Sequence, residues 1–285
     1  MTEAYPVDEY VMTQLHNSLD NLEKQHGADF LTIVAPIVPG FEVRVRNAIE
    51  KKKTKRDRLA IILQTPGGVV EAVARMVDTI RHHYKEVDFI VPDQAMSAGT
   101  VFVMSGDRIF MDYFSCLGPI DPQIEKDGKL VPALSYLSQF KRLNEKAEKG
   151  QLTTAEYALI DKMDPGDLYR YEEARKLSVD LLRRWLSKYK FRKWDVTETR
   201  KIPVTQGMRE ERAKEIAEAL SNNEHWHSHG FGISMEVLRK ELNLKIEDMS
   251  ENPDLRTAVR TYHALLGDYL DKLGRIFFLQ TLEVS

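Results

Sequence analysis

Apolar residues along the chain follow two rhythms. Short, mostly apolar runs over residues 30–37, 59–63 and 87–91 have the length of strands buried on both faces. Between them, apolar residues return every three or four positions. Val11, Leu15, Leu19 and Leu22 predict a helix over residues 7–26, which Gly27 ends. A helix over 43–53 and another on Val69, Val70, Val73, Met76, Val77 and Ile80 follow the same rule. A short helix over 97–106 and a strand over 108–112 complete the alternation. Strands alternating with helices imply right-handed βαβ units and a largely parallel sheet, an α/β fold.

The rhythm changes after residue 132. Residues 134–149, 152–163 and 168–190 all read as helices. Residues 226–233 read as a loop or short strand, 235–241 as a short helix, and 254–280 as a long helix. Leu265, Leu266, Tyr269, Leu270, Leu273, Ile276 and Phe277 give that last segment an apolar stripe suited to core or oligomer packing. The expected organisation is an N-terminal helical extension over 1–28, an α/β domain over 29–250 with a helical insertion at about 134–222, and a C-terminal helix over 251–285. The sequence has no internal repeat or low-complexity segment.

Composition narrows the function classes. The 285 residues include 42% apolar side chains, enough for a sizeable core. Lys and Arg number 41 against 44 Asp and Glu, so the net charge of −3 argues against a general nucleic-acid binder. The basic run from Lys51 to Arg56 reads as a solvated face. A single cysteine, Cys116, rules out an intrachain disulfide and suits a reducing compartment; it reads as a small buried residue. No stretch approaches the ~20 apolar residues of a membrane helix. The acidic start of the chain does not read as a signal peptide. A cytoplasmic protein without stable membrane insertion is the expectation.

Two glycine-containing turns carry the chemistry. Thr65-Pro66-Gly67-Gly68 follows one predicted strand, and Ala95-Met96-Ser97-Ala98-Gly99-Thr100 follows the next and opens a helix. Amide hydrolysis needs a nucleophile, a base and hydrogen-bond donors for the tetrahedral oxyanion. Backbone N–H groups serve best as donors, and they approach a substrate only where side chains are small. Ser97 supplies a hydroxyl, Gly68 and Ala98 two candidate oxyanion donors, and Gly67 and Gly99 a narrow groove. A Ser at a helix start is usually an N-cap, and a Pro-Gly-Gly turn is common loop chemistry. Their pairing at the carboxyl ends of consecutive parallel strands is more specific, because open α/β sheets place ligands there.

These residues, from Ile61 to Gly68, from Gln94 to Thr100 and from Leu117 to Gln123, resemble the serine dehydrogenase proteinase family. That family has the Clp-protease/crotonase fold, related to signal peptide peptidase A and the Clp proteolytic subunit. The resemblance is specific over about residues 57–124 and looser over 226–249. It implies a Clp/crotonase-like spiral of βαβ units with a helical extension after residue 132. It also implies Ser97 as nucleophile, an oxyanion hole from Gly68 and Ala98, a protein or peptide substrate, a homo-oligomer, and no cofactor or metal. Whether an ATP-dependent unfoldase partners it is left open. The Clp subunit's histidine has no counterpart here: the corresponding stretch reads Gly118-Pro119-Ile120-Asp121-Pro122-Gln123. A Ser-Lys dyad is the remaining pattern, and it requires a lysine that can be neutral near pH 7. Lys176 ranks first, with Lys149 and Lys141 as alternatives and Lys162 behind them. Asp121, between two prolines, orients the base, lines the groove or stabilises its turn.

His225, His227 and His229 flank Trp226 and Ser228; with no carboxylate or cysteine cluster beside them they read as loop histidines rather than metal ligands. His229 is also a candidate contributor to the active site. Two rival functions use the same turns. One is a crotonase-like acyl-CoA enzyme, which would bind CoA and lack a reactive serine. The other is a non-catalytic member that binds peptides as a scaffold.

Overall fold

The computed structural model describes residues 6–121, 123–126, 129–226 and 230–282. His227, Ser228 and His229 lie outside the described residues. The strands are β1 (Asp29–Val34), β2 (Arg58–Gln64), β3 (Glu86–Ile90), β4 (Gln94–Ala95), β5 (Arg108–Met111), β6 (Cys116–Leu117), β7 (Gln123–Lys126), β8 (Lys129–Pro132), β9 (Ile233–Ser234), β10 (Glu247–Asp248) and β11 (Phe278–Thr281). The helices are α1 (Pro6–His26), α2 (Phe41–Lys51), α3 (Val70–His83), α4 (Ala98–Val103), α5 (Ala133–Glu148), α6 (Thr154–Asp161), α7 (Pro165–Trp185), α8 (Gln206–Leu220), α9 (Asn223–Trp226), α10 (Met235–Lys240) and α11 (Pro253–Leu273).

The main sheet runs β10-β5-β3-β2-β1-β11 and is parallel except for β11, which pairs antiparallel with β1. A smaller sheet, β4-β6-β9, stands at the carboxyl ends of these strands. The βαβ alternation expected from the sequence is therefore present as a mixed α/β fold.

Side-chain alternation divides the core in two. Leu31, Ile33, Leu59, Ile61, Leu63, Val87 and Phe89 face α2, α3, α4, α7 and α8 in one cluster. Phe30, Ala60, Ile62, Ile90 and Phe110 face α1 and α11 in the other. The continuous apolar runs of the sequence follow from this, since both faces of the sheet are covered. Burying each Leu or Ile contributes about 2 kcal/mol. The terminal helices thus form a full layer: Leu15, Leu19 and Leu22 of α1 and Val259, Tyr262 and Leu266 of α11 are completely buried.

The long C-terminal helix stops earlier than its apolar stripe suggests. Gly274 adopts a left-handed conformation (φ 61°) and caps α11. The chain then returns as β11 along the edge of β1, leaving Ile276 and Phe277 on the connecting turn. The Tyr262 hydroxyl donates to Thr32 Oγ1 or Gln280 Oε1, both at 2.8 Å, and so joins α11 to β1 and β11.

Candidate active site

The strand ends bring the two turns together. Beyond β2, Thr65 pairs in parallel with Ala95: its N–H donates to Gln94 O (3.0 Å), and its carbonyl accepts from Met96 N–H (3.0 Å). On the other side, Ile37 N–H donates to Gly67 O and Ile37 O accepts from Val69 N–H, both at 2.8 Å. Residues 65–69 are thereby laced between the segment after β1 and the segment leading to Ser97.

Both glycines are required by this lacing. Gly67 has φ 98°, and a Cβ there would lie 2.6 Å from Met96 O and 2.9 Å from Ser97 Cβ. Gly68 has φ 144°, and its Cβ would lie 2.0 Å from Ile37 O. Only glycine tolerates that backbone and that approach.

Ser97 sits between β4 and α4 with φ 51° and ψ −116°. This is a strained conformation for a residue bearing Cβ, costing about 1–3 kcal/mol, and it persists only where the surroundings impose it. The surroundings are visible. Gly99 N–H returns to Met96 O (2.7 Å) and Val101 N–H to Ser97 O (3.3 Å). The Gly99 position has no room for a side chain, because a Cβ would meet Thr65 Cγ2 at 2.4 Å. The Ser97 hydroxyl caps nothing in its helix, contrary to the ordinary role of a Ser there. It donates instead to the carbonyl of Asp121 at 2.5 Å and is only 1% exposed.

Two buried threonines that the sequence did not single out hold this geometry. Thr65 Oγ1 accepts the Gly67 N–H at 3.1 Å. Thr100 shares its hydroxyl hydrogen between Ala95 O (2.9 Å) and Gly118 O (2.8 Å) and accepts Gly118 N–H (3.1 Å). Thr100 therefore ties β4, which delivers Ser97, to the strand that leads to Asp121. A threonine three residues beyond the serine was its only trace in the sequence.

Asp121 is fully buried, and Ile120 N–H anchors its segment to Leu220 O at the end of α8 (2.9 Å). Among the described residues the Ser97 hydroxyl hydrogen-bonds the Asp121 carbonyl and none of the candidate lysines. Lys176 is exposed on α7, 3.0 Å from Glu173 and 3.4 Å from Glu172. The hydrogen bond it donates to Glu173 and the second carboxylate push its pKa up, away from the neutral form a base requires. Lys141 is exposed, 4.0 Å from Glu145. Lys149 and Lys162 are exposed as well. His225 lies edge-on to Trp226 and 3.8 Å from Glu241. Cys116 is half-buried, and burial with nearby Asp93 raises its pKa. Among the described residues no three His, Cys, Asp or Glu side chains converge as metal ligands. Among them, too, no helix is long and apolar enough to cross a membrane.

Residues 41–163 match the family of ClpP-like SDH-type serine proteinases. An uncharacterized protein of Methanocaldococcus jannaschii, MJ0137, is 33% identical over 139 residues, covering 45% of this chain and 47% of that protein. The match thus spans about half the length of this curated relative. Among solved structures, ClpP1 from Listeria monocytogenes aligns over 84% of this chain and 95% of its own at 13% identity and a TM-score of 0.44. A membrane-bound stomatin-specific protease, 1510-N, solved as a mutant in complex with a substrate peptide, aligns over 76% of this chain and 72% of its own at 15% identity and a TM-score of 0.44.

Proposed function

We propose that the match to serine proteinases over residues 41–163 extends to activity, and that this chain hydrolyses peptide bonds with Ser97 as nucleophile. The observation that carries the reading is the strained backbone of Ser97 beside two glycines that nothing else could replace. Strain of this kind concentrates where a side chain must be presented rather than packed.

In the proposed reaction the Ser97 oxygen attacks the scissile carbonyl while its proton passes to a neutral lysine amine. The carbonyl oxygen becomes an oxyanion held by the N–H groups of Gly68 and Ala98. The intermediate collapses, the lysine returns its proton to the leaving amine, and water then hydrolyses the acyl-enzyme. Gly67 and Gly99 keep the groove narrow, and Asp121 fixes the loop opposite the serine. The chemistry requires no cofactor.

Two events precede catalysis on this reading. The Asp121 carbonyl must release the Ser97 hydroxyl, and a lysine must be carried over it. Lys176, Lys149 and Lys141 are all exposed in the single chain, so the base arrives when a second copy or a bound peptide covers the site. Lys176 remains the first candidate only if Glu172 and Glu173 let it go. The catalytic unit is residues 29–250, stabilised by α1 and α11 on the far face of the sheet.

The test is cleavage of an unfolded protein substrate by the wild type and by Ser97→Ala. The expected loss is about 10⁴-fold or more with the variant still folded. Equal cleavage by both would end the assignment. CoA binding without cleavage by the wild type would favour the acyl-CoA enzyme instead.

A further inference from the structure

The end of α7 departs from regular helix. After Trp185 the chain forms a π-helical turn, Leu186–Lys190, in which Phe191 N–H reaches back five residues to Leu186 O at 2.8 Å. Such wide turns weaken a helix and persist mostly where a site uses them. Here the turn opens one wall of a cavity of about 660 Å³ against α8.

Cations from three segments line this cavity: Arg183, Arg184 and Lys188 from α7 and its π turn, Arg192 just beyond it, and Arg209 from α8. Asp180 and Glu210 are the two carboxylates on its wall. The pairing is uneven. Arg192 is engaged by Asp107 at 2.8 Å, Arg209 by Asp195 at 3.1 Å, and Arg183 by Asp180 at 3.7 Å. Among the described residues, Arg184 and Lys188 have no carboxylate partner. In a chain of net charge −3, an uncompensated basic concavity runs against the bulk trend.

The neighbouring basic regions differ. A second cavity that also uses Arg192 holds Arg58, Lys85 and Lys193, but Asp57 and Glu86 sit among them and pair with all three. The Lys51–Arg56 run sends Lys52 inward to Glu23 and Asp29. Of these basic regions, the α7–α8 cavity is the one whose described residues leave Arg184 and Lys188 without a carboxylate.

We propose that this cavity binds an oligophosphate anion, a chain of two or three phosphate groups either free or carried by a nucleoside. Guanidinium forks match phosphate oxygens in pairs, and a lysine adds a mobile point charge. The volume lies within the roughly 300–1,000 Å³ of small-ligand sites, and the concave shape favours a compact polyanion. Ser187 and Gln206, hydrogen-bonded to each other at 3.0 Å, supply neutral polar contacts on the wall.

The test is calorimetric titration of the full chain with inorganic tripolyphosphate and, separately, with ATP. The expected result is saturable one-to-one binding that weakens as salt rises. Arg184→Ala with Lys188→Ala should weaken it roughly tenfold or more. Neither side chain supports the fold, so thermal stability should not change. Lys85→Ala with Lys193→Ala, in the compensated cavity, should bind as the wild type does. ATP binding more tightly than tripolyphosphate assigns the nucleoside-carried form, and equal affinity assigns the phosphate chain alone. No saturable binding, or equal binding by the Arg184/Lys188 variant, overturns the proposal. Because Ser97 plays no part in this site, Ser97→Ala should bind like the wild type whatever its peptidase activity.

Discussion

At the carboxyl ends of β2 and β4 the structure is held by backbone and small side chains; at the amino ends of the main sheet it is held by charge. The first end contains Gly67, Gly68, Ser97, Ala98 and Gly99, laced by main-chain hydrogen bonds and two threonine hydroxyls. The second contains Glu23, Asp29, Lys52, Asp88 and Arg108. Lys52 Nζ lies 2.9 Å from Glu23 and 3.3 Å from Asp29, and Tyr84 donates to Asp29 at 3.1 Å. Asp88 accepts from His26 at 3.0 Å and from two nitrogens of Arg108. The contrast shows how one sheet serves two purposes. Ionic groups fasten α1 to the strand starts, where rigidity suffices. The ends of β2 and β4 carry small side chains instead, which in the proposed reaction lets a substrate backbone come within hydrogen-bonding range, while the charged pair of Asp112 and Arg260 lies beyond β5.

Four experiments probe that contrast. The largest effect belongs to Gly68→Ala. A methyl group placed 2.0 Å from Ile37 O, at a φ of 144°, should cost roughly 3–5 kcal/mol and abolish activity. Chemical denaturation with a cleavage assay would show it; a stable, active variant would mean the turn is looser than its lacing suggests. Next, Thr100→Val removes the hydroxyl that donates to Ala95 O and Gly118 O, while Gly118 N–H keeps Ala95 O as acceptor, and should cost about 1 kcal/mol. It should also lower kcat more than it raises KM, with Thr100→Ser restoring both; loss of stability with unchanged kcat would reduce Thr100 to a core residue.

At the ionic end, Asp88→Asn should cost about 2 kcal/mol, seen as a lower denaturation midpoint with turnover per folded molecule unchanged. Burial pushes Asp88 up, but hydrogen bonds from His26 and Arg108 outweigh it and hold the carboxylate below its usual range. Its folded pKa is depressed, so its contribution is present above the ordinary aspartate pKa, roughly 4, and is lost as pH falls below that toward the folded value. Acid titration of stability should therefore be flatter in Asp88→Asn than in the wild type below about pH 4. The smallest effect concerns the base. If Lys176 serves Ser97, removing its carboxylates with Glu172→Gln and Glu173→Gln should move the alkaline rise of the rate to lower pH, because those carboxylates raise the lysine's pKa. An unmoved profile would direct attention to Lys149 or Lys141.

Much of this was legible in the sequence. The apolar runs marked the central strands because both sheet faces are buried, and the small residues at two strand ends marked the serine turn. Other features left no such trace. The positive φ of Ser97 falls on a residue whose type gives no hint of it. Lys52 sits within a run of five basic residues and reads as solvated, yet it is buried because Glu23 and Asp29 arrive from elsewhere in the chain. The edge strand β11 was absorbed into the preceding helix, because Phe278 and Leu279 prolong its apolar stripe; Gly274, the αL cap, was the available signal. The base stayed ambiguous because surface lysines look alike until a neighbour distinguishes them.

The most direct measurement is mass spectrometry after exposure to a fluorophosphonate probe, which forms a stable adduct only on an activated serine. The account predicts one adduct, mapped to Ser97 and absent from Ser97→Ala. An unmodified wild type, or an adduct that survives the substitution, would contradict it.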